Sequence, residues 1–237
     1  MAAPLWQGDF VHTLAELDVA VVACRACPRL VEWRESAAGT KRAFAGETYW
    51  ARPVPGFGPA DAALAVVGLA PSAHGANRTG RMFTGDPSGD FLFRALHEVG
   101  LASQPTSTAI GDGLELIGTR MVAPVRCAPP DNKPTPVERD TCRHWLAEEL
   151  ALLRPTLRAV VVLGAFGWRA LLPVLADAGW PVPAPRPAFG HGAVVALGDL
   201  RLFGCYHVSP RNVQTGRVTH SMVCDVFAAA AQAGGVF

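Results

Sequence analysis

AALAVVGL, residues Ala62 to Leu69, is a short apolar run broken at Gly68 and followed by Pro71. Bounded in this way, and with no polar alternation, it has the pattern of a strand buried on both faces. Outward from it the pattern recurs. Leu116 to Val125 reads as a second strand, Arg158 to Gly164 (RAVVVLG) as the clearest of all, and Leu200 to His207 (LRLFGCYH) as the last. Helical spacing fills the intervals: Phe91 to Val99 after a Ser-Gly-Asp start, Val137 to Leu153 framed by Pro136 and Pro155, and about Phe166 to Ala178. A final helix is expected over Ser221 to Ala233. Strands separated by helices of this length predict an α/β fold, a parallel sheet with helices on both faces. Gly39 to Asp61 and the proline-dense Gly179 to Phe189 read as loops.

With 237 residues the chain can bury one full core, or form two small domains. Half the residues are hydrophobic and 17% are charged, which excludes a disordered chain. A net charge of +1 decides nothing about nucleic acid, because steering depends on how charge is distributed. Arginine dominates the cations, the only lysines being Lys41 and Lys133. Met1 to Ala20 carries Asp9, Glu16 and Asp18 and lacks a basic region followed by an apolar one, unlike a secretory signal. The longest apolar stretch, Ala159 to Trp168, falls short of the roughly 20 residues that span a bilayer. A cytoplasmic protein without membrane association is expected. In that reducing compartment, metal binding is a better use of cysteine than a disulfide framework.

Four of the six cysteines form a set: Cys24 and Cys27 in CRACP, Cys127 in VRCAPP and Cys142 in DTCRHW. A C-x2-C pair places two thiolates on one side of a turn or helix end, and two distant thiolates would complete a site stapling the N-terminal helix to the middle of the chain. On ligand chemistry alone zinc and an iron-sulfur cluster both suit. The second pair is spaced C-x14-C rather than as a second knuckle, which tilts the reading toward iron-sulfur. Cys205 and Cys224 sit in a strand and an apolar helix and read as core.

Two polar loops follow predicted strand ends. The first, GLAPSAHGANRTGRMFTGDPSGD, runs from Gly68 to Asp90, and its glycines permit close backbone approach to a ligand. It lacks the lysine of a phosphate-binding GxxxxGK[ST] loop and does not match GxGxxG, so a nucleoside-triphosphate site is disfavoured. The second, YHVSPRNVQTGR, runs from Tyr206 to Arg217. A lone histidine at a strand end is more often structural than catalytic. Here, though, it heads a loop with Ser209, Arg211, Asn212 and Gln214, and two such loops at one sheet edge would face each other across a cleft.

Taken together, GLAP with HGANRTGRMFTGD, the four cysteines, VRCAPPDNKPTP, and HVSPRN followed by TGR resemble the iron-sulfur branch of the uracil-DNA glycosylase superfamily, closest to family 5 (type B). The resemblance runs from Cys24 to the helix after Arg217. It implies one domain over residues 1–237, a three-layer α/β/α sandwich with a central four-stranded parallel sheet, and a 4Fe-4S cluster held by Cys24, Cys27, Cys127 and Cys142. The implied substrate is double-stranded DNA carrying a deaminated base, with single-stranded DNA as a second candidate, bound by a monomer.

The resemblance also implies a chemistry. The target nucleotide is flipped into a pocket, its N-glycosidic bond is hydrolysed, and positive charge on the sugar and negative charge on the base are stabilised electrostatically. Phe83 matches the aromatic under the flipped base, and Gly68, Leu69, Ala70 and Pro71 the wall beside the sugar. His207 matches the histidine that donates toward the base O2. Ala70 offers no polar group for the attacking water; Asn77 is the first expectation for that role, ahead of His74 and Asp86. Related enzymes carry an asparagine four residues before the third cysteine, and here that position is Ala123, which leaves room for hypoxanthine beside uracil. Ser209, Arg211, Asn212 and Gln214 are expected to enter the duplex, and Arg78, Arg81 and Arg217 to contact phosphates. The rival readings are an iron-sulfur DNA-binding module without catalysis and a small-molecule redox enzyme.

Overall fold

The computed structural model describes residues 12–237, so part of the Met1 to Ala20 stretch lies outside the described residues. α1 (Leu14–Ala23) starts at a reciprocal cap: Thr13 Oγ1 accepts from the Glu16 amide, and the Glu16 carboxylate accepts from the Thr13 amide. α2 (Pro28–Ser36) has proline in its first turn and Cys27 as its cap. Cys24 closes α1 and Cys27 opens α2, so the C-x2-C pair occupies the corner between two helices.

Next come β1 (Leu64–Val67), the one-turn helix α3 (Ala76–Thr79) and α4 (Pro87–Glu98). α4 begins four residues before the expected Phe91, because Asp86 caps it by accepting from the Gly89 amide at 3.0 Å. β2 (Thr119–Val122) is shorter than the expected Leu116 to Val125, since Leu116 bridges antiparallel to Ala102. α5 (Pro136–Leu153) and β3 (Ala159–Leu163) follow, then α6 (Ala165–Asp177), β4 (Val194–Leu197), β5 (Leu200–Cys205), α7 (Pro210–Gln214) and α8 (His220–Gly234).

The sheet has the order β2-β1-β3-β5-β4. β2, β1, β3 and β5 are parallel, with Leu64 opposite both Thr119 and Ala159, and Ala159 opposite Arg201. These are the four expected strands. β4 adds an antiparallel edge, joined to β5 by a hairpin in which Leu197 faces Leu200. It is not among the four strands that the sequence predicts.

Alternation along the apolar strands feeds two cores. Leu64 and Val66 face one side, packing with Leu92 and Leu96 of α4 and Val223 and Phe227 of α8. Ala65 and Val67 face the other, with Leu146 and Leu150 of α5, Leu171 and Leu175 of α6, and Leu17 of α1. The result is the three-layer α/β/α sandwich. Cys205 and Cys224 belong to the first core. Among the described residues no helix is long and apolar enough to cross a membrane.

From β1 the chain passes outward to β2 and then back across to β3, so the order reverses beside β1. Open parallel sheets place ligands at such a point, beyond the carboxyl ends of the strands. Gly68, Gly164 and Tyr206 each follow directly on one of those ends.

Candidate active site

The loops leaving β1 and β5 meet. A cleft of about 670 Å³ is lined by Leu69, Ala70, His74, Phe83, Asp86, His207 and Ser209, among others. Gly68 permits the meeting: a Cβ there would lie 3.1 Å from the tip of the Phe83 ring. Phe83 takes φ 53° and is turned inward, its ring centroid 6.4 Å from that of His207.

His207 is half-buried at the cleft, and burial pushes its pKa down, opposed by the negative charge of Asp86. It is therefore a neutral imidazole with one N–H to give. Its carbonyl accepts from Asn212 Nδ2 at 2.7 Å, which braces the turn into α7.

Asp86 lines the same cleft. One carboxylate oxygen accepts from the Gly89 amide, and the other accepts from Ser72 Oγ. Both bonds fix its orientation without using up its lone pairs. His74, also on the cleft, exchanges a hydrogen bond with Tyr49 Oη through Nδ1 at 2.9 Å. Burial lowers its pKa, helped by Lys41 and Arg78, so it too is neutral.

Other expected site residues go elsewhere. Asn77 is fully buried and does not line the cleft; its Nδ2 donates to the Arg34 carbonyl at 3.0 Å. Asn77, expected to hold the attacking water, thus sits outside the cleft lining, with its Oδ1 buried and without a protein partner. Arg78 stacks on Phe44 at 4.0 Å, pairs with Glu47, and donates to the carbonyls of His74 and Gly85. Arg81 is buried and shared among Asp112, Ser107 and Thr84. Both arginines thus brace the loop rather than face a phosphate. Arg211 and Gln214 are exposed on α7 beside the cleft, and Arg217 lies over the Tyr206 ring at 4.9 Å. Pro71 is buried behind the wall formed by Leu69 and Ala70.

The four cysteines gather around one small cavity, with Leu30, Arg34, Arg126 and Trp145. Burial pushes the Cys27 thiol up to about 11, with Cys127 and Cys24 adding repulsion, and the Cys142 thiol up to about 12. The surroundings nonetheless favour negative charge. Arg34, 1% exposed, donates to Cys127 Sγ at 2.9 Å, and the Arg126 amide donates to Cys142 Sγ at 3.3 Å. The Nε atoms of Arg34 and Arg126 and Nη1 of Arg126 are buried with no protein partner. Four soft sulfur donors and unmatched guanidinium N–H groups fit a thiolate-ligated metal centre with acceptors of its own.

A family profile described as the uracil DNA glycosylase superfamily matches residues 55–232. The chain belongs to the uracil-DNA glycosylase superfamily. Within it, the chain is 51% identical over 226 residues to a type-5 uracil-DNA glycosylase of Mycobacterium bovis, covering 94% of this chain and 83% of the relative. A type-5 uracil-DNA glycosylase of Thermus thermophilus is 50% identical over 228 residues, covering 96% and 98%. One of Pyrobaculum aerophilum is 45% identical over 230 residues, covering 97% and 94%.

The superfamily cleft also has contributors that sequence reasoning did not single out. Lys41 and Phe44 reach it from the glycine- and aromatic-rich loop, and Asn132 from the turn after Cys127. Asn132 adopts φ 55°, a left-handed conformation that asparagine tolerates better than most residues. The run PPDNKP in which it sits was the available signal.

Proposed function

We propose that the chain is a monofunctional DNA glycosylase that excises uracil from double-stranded DNA, acting as a single-domain monomer. The observation that carries this is the half-buried His207 beside Phe83 in one cleft, with Asp86 lining the same cleft. A base still in the duplex cannot enter such a cleft. The nucleotide is flipped, at a cost of a few kcal/mol that is least for a mispaired base. Phe83 supplies the stacking floor. Arg211 and Gln214, exposed on α7, fill the gap left in the duplex, and Arg217 contacts the backbone.

As the C1′–N bond breaks, electrons pass to the base and positive charge is left on the sugar. His207 donates its N–H toward the base oxygen, favouring an anionic leaving group without giving up the proton. The Asp86 carboxylate, held by Ser72 and Gly89, faces the sugar, offsets its charge and orients the water that attacks C1′. His74 borders the same water site. The water's proton passes to solvent by way of Asp86, the uracil anion takes up a proton from solvent, and the products are free uracil and an abasic sugar.

Asn132 supplies a carboxamide, both donor and acceptor, for the edge of the base. Ala70 and the buried Ala123 add no polar reader, so discrimination is loose and hypoxanthine is accepted beside uracil. Single-stranded DNA, needing no unpairing, is a second substrate. Cys24, Cys27, Cys127 and Cys142 hold a 4Fe-4S cluster. When bound, that cluster supplies a rigid link between the α1–α2 corner and the segment from Cys127 to Cys142.

Duplexes carrying a single uracil, hypoxanthine or xanthine, assayed for alkali-sensitive strand breaks with wild type and His207→Ala, test the reading. Strand breakage at uracil that depends on His207 is expected. Retarded mobility without breakage would sink the proposal in favour of a non-catalytic DNA-binding module. Iron content and broad visible absorbance of the purified protein test the cluster separately.

A further inference from the structure

We infer that Asn77 is a positioning residue that couples the four-cysteine site to the substrate cleft, through the main chain of Arg34. The inference rests on the cluster reading proposed above.

Arg34 faces two ways. Its guanidinium donates to Cys127 Sγ and to the Cys24 carbonyl, and its Nε is buried without a protein partner. Its own carbonyl, in the last turn of α2, accepts from Asn77 Nδ2. Asn77 in turn closes the cleft loop on itself. Its amide donates to the Ser72 carbonyl at 3.0 Å, and its Nδ2 also reaches the Ala73 carbonyl at 3.4 Å. Its carbonyl accepts from the Ala51 amide at 3.0 Å. Between Ser72 and Asn77 lies His74, and Ser72 is the residue that orients Asp86.

A cluster in the cysteine cavity carries negative charge, which holds the Arg34 guanidinium in place and with it the last turn of α2. The Arg34 carbonyl then fixes Asn77, and Asn77 fixes the 72–77 loop that presents His74 and Ser72 to the cleft. Without that anchor the buried Nδ2 keeps only its longer contact to the Ala73 carbonyl, at 3.4 Å. The Asn77 Oδ1 is already buried without a partner, so a further weakened amide is unfavourable and the loop shifts to restore the bond.

Coupling of this kind is reciprocal. Filling the cleft should therefore strengthen cluster binding, and a slower loss of iron from the folded holoenzyme is its expected kinetic sign. The test uses holoenzyme and measures the rate of iron release to a chelator, with and without a saturating duplex that carries a non-cleavable abasic-site analogue. In wild type the duplex is expected to slow release about fivefold, the worth of one buried hydrogen bond. In Asn77→Leu, still saturated with duplex, the slowing is expected to vanish, while single-turnover excision falls about fivefold to tenfold at unchanged iron content. Should Asn77→Leu fail to fold, Asn77→Asp keeps the volume and turns the donor into an acceptor facing a carbonyl, with the same expectation.

Slowing that persists in the variant would mean simple shielding by DNA and overturns the inference, as does a wild-type rate indifferent to the duplex. Protein that excises uracil but holds no iron removes the cluster reading itself. Iron-replete protein without coupling removes this inference alone.

Discussion

Phe83 and His207 face each other over the carboxyl edge of the sheet, their ring centroids 6.4 Å apart and their planes inclined at 39°. One ring offers a face and the other an edge donor, so the two should fail differently. Phe83→Ala removes a stacking partner worth ~1–3 kcal/mol per base. It should weaken binding of uracil-containing duplex far more than binding of undamaged duplex. His207→Ala should leave that binding nearly intact and lower the single-turnover rate by about 10²–10³, the usual loss for one transition-state donor. Titration with labelled duplex and rapid-quench assays separate the two.

Asp86→Asn keeps an oxygen to accept from the Gly89 amide, so the α4 cap survives while the charge is lost. The expected result is a fall in single-turnover rate of about 10²-fold or more with an unchanged melting temperature. Ser72→Ala, which only frees the carboxylate to rotate, should give a smaller loss in the same direction. A fully active Asp86→Asn would show that the water is held elsewhere.

Acid should destabilise the fold before it touches most carboxylates. Burial lowers the pKa of His207, and likewise of His74, His144 and His191, below the ordinary 6.5. Unfolded chains protonate these rings near 6.5, whereas the folded protein resists until lower pH. The unfolded state therefore binds more protons in that window. Melting temperature should be flat above about pH 6.5 and fall progressively below it, through the lowered folded values. A Tm series in buffers of constant ionic strength reads this directly.

Glu149 is buried between two guanidiniums, accepting from Arg120 Nε at 2.6 Å and from Arg126 Nη2. Arg120 also pairs with Asp18 of α1. Removing one member of such a group leaves uncompensated charge in the interior, at a cost of about 3–5 kcal/mol. Glu149→Ala should lower the denaturant midpoint accordingly. It should also loosen Arg126, whose amide donates to Cys142, and so reduce iron retention.

The central strands were legible because burial on both faces leaves a mark in composition: Ala159–Leu163 is apolar at every position. β4 was not, since Val194–Leu197 is largely exposed and gains its identity from pairing with β5. The presence of Phe83, Asp86 and His207 in the cleft lining was legible through motif and strand end. The fates of Asn77, Arg78 and Arg81 were not, because each is decided by a partner far along the chain. Arg34 is 43 residues from Asn77, Glu47 is 31 from Arg78 and Asp112 is 31 from Arg81. A polar residue in a glycine-rich loop reads as a ligand contact until the group that claims it is known. Asn132 escaped notice for the opposite reason, standing in a proline-rich turn that looked like plain connection.

The ion pair between Asp18 and Arg120 sets a limit on shortening the protein from its amino end. Trimming that stops short of Thr13 keeps the α1 cap and the counter-charge. Trimming beyond Asp18 leaves Arg120 and Arg126 to share the single carboxylate of Glu149 and opens one side of the sheet to water. Loss of solubility should then set in abruptly between two neighbouring start points, although every residue lining the cleft lies downstream.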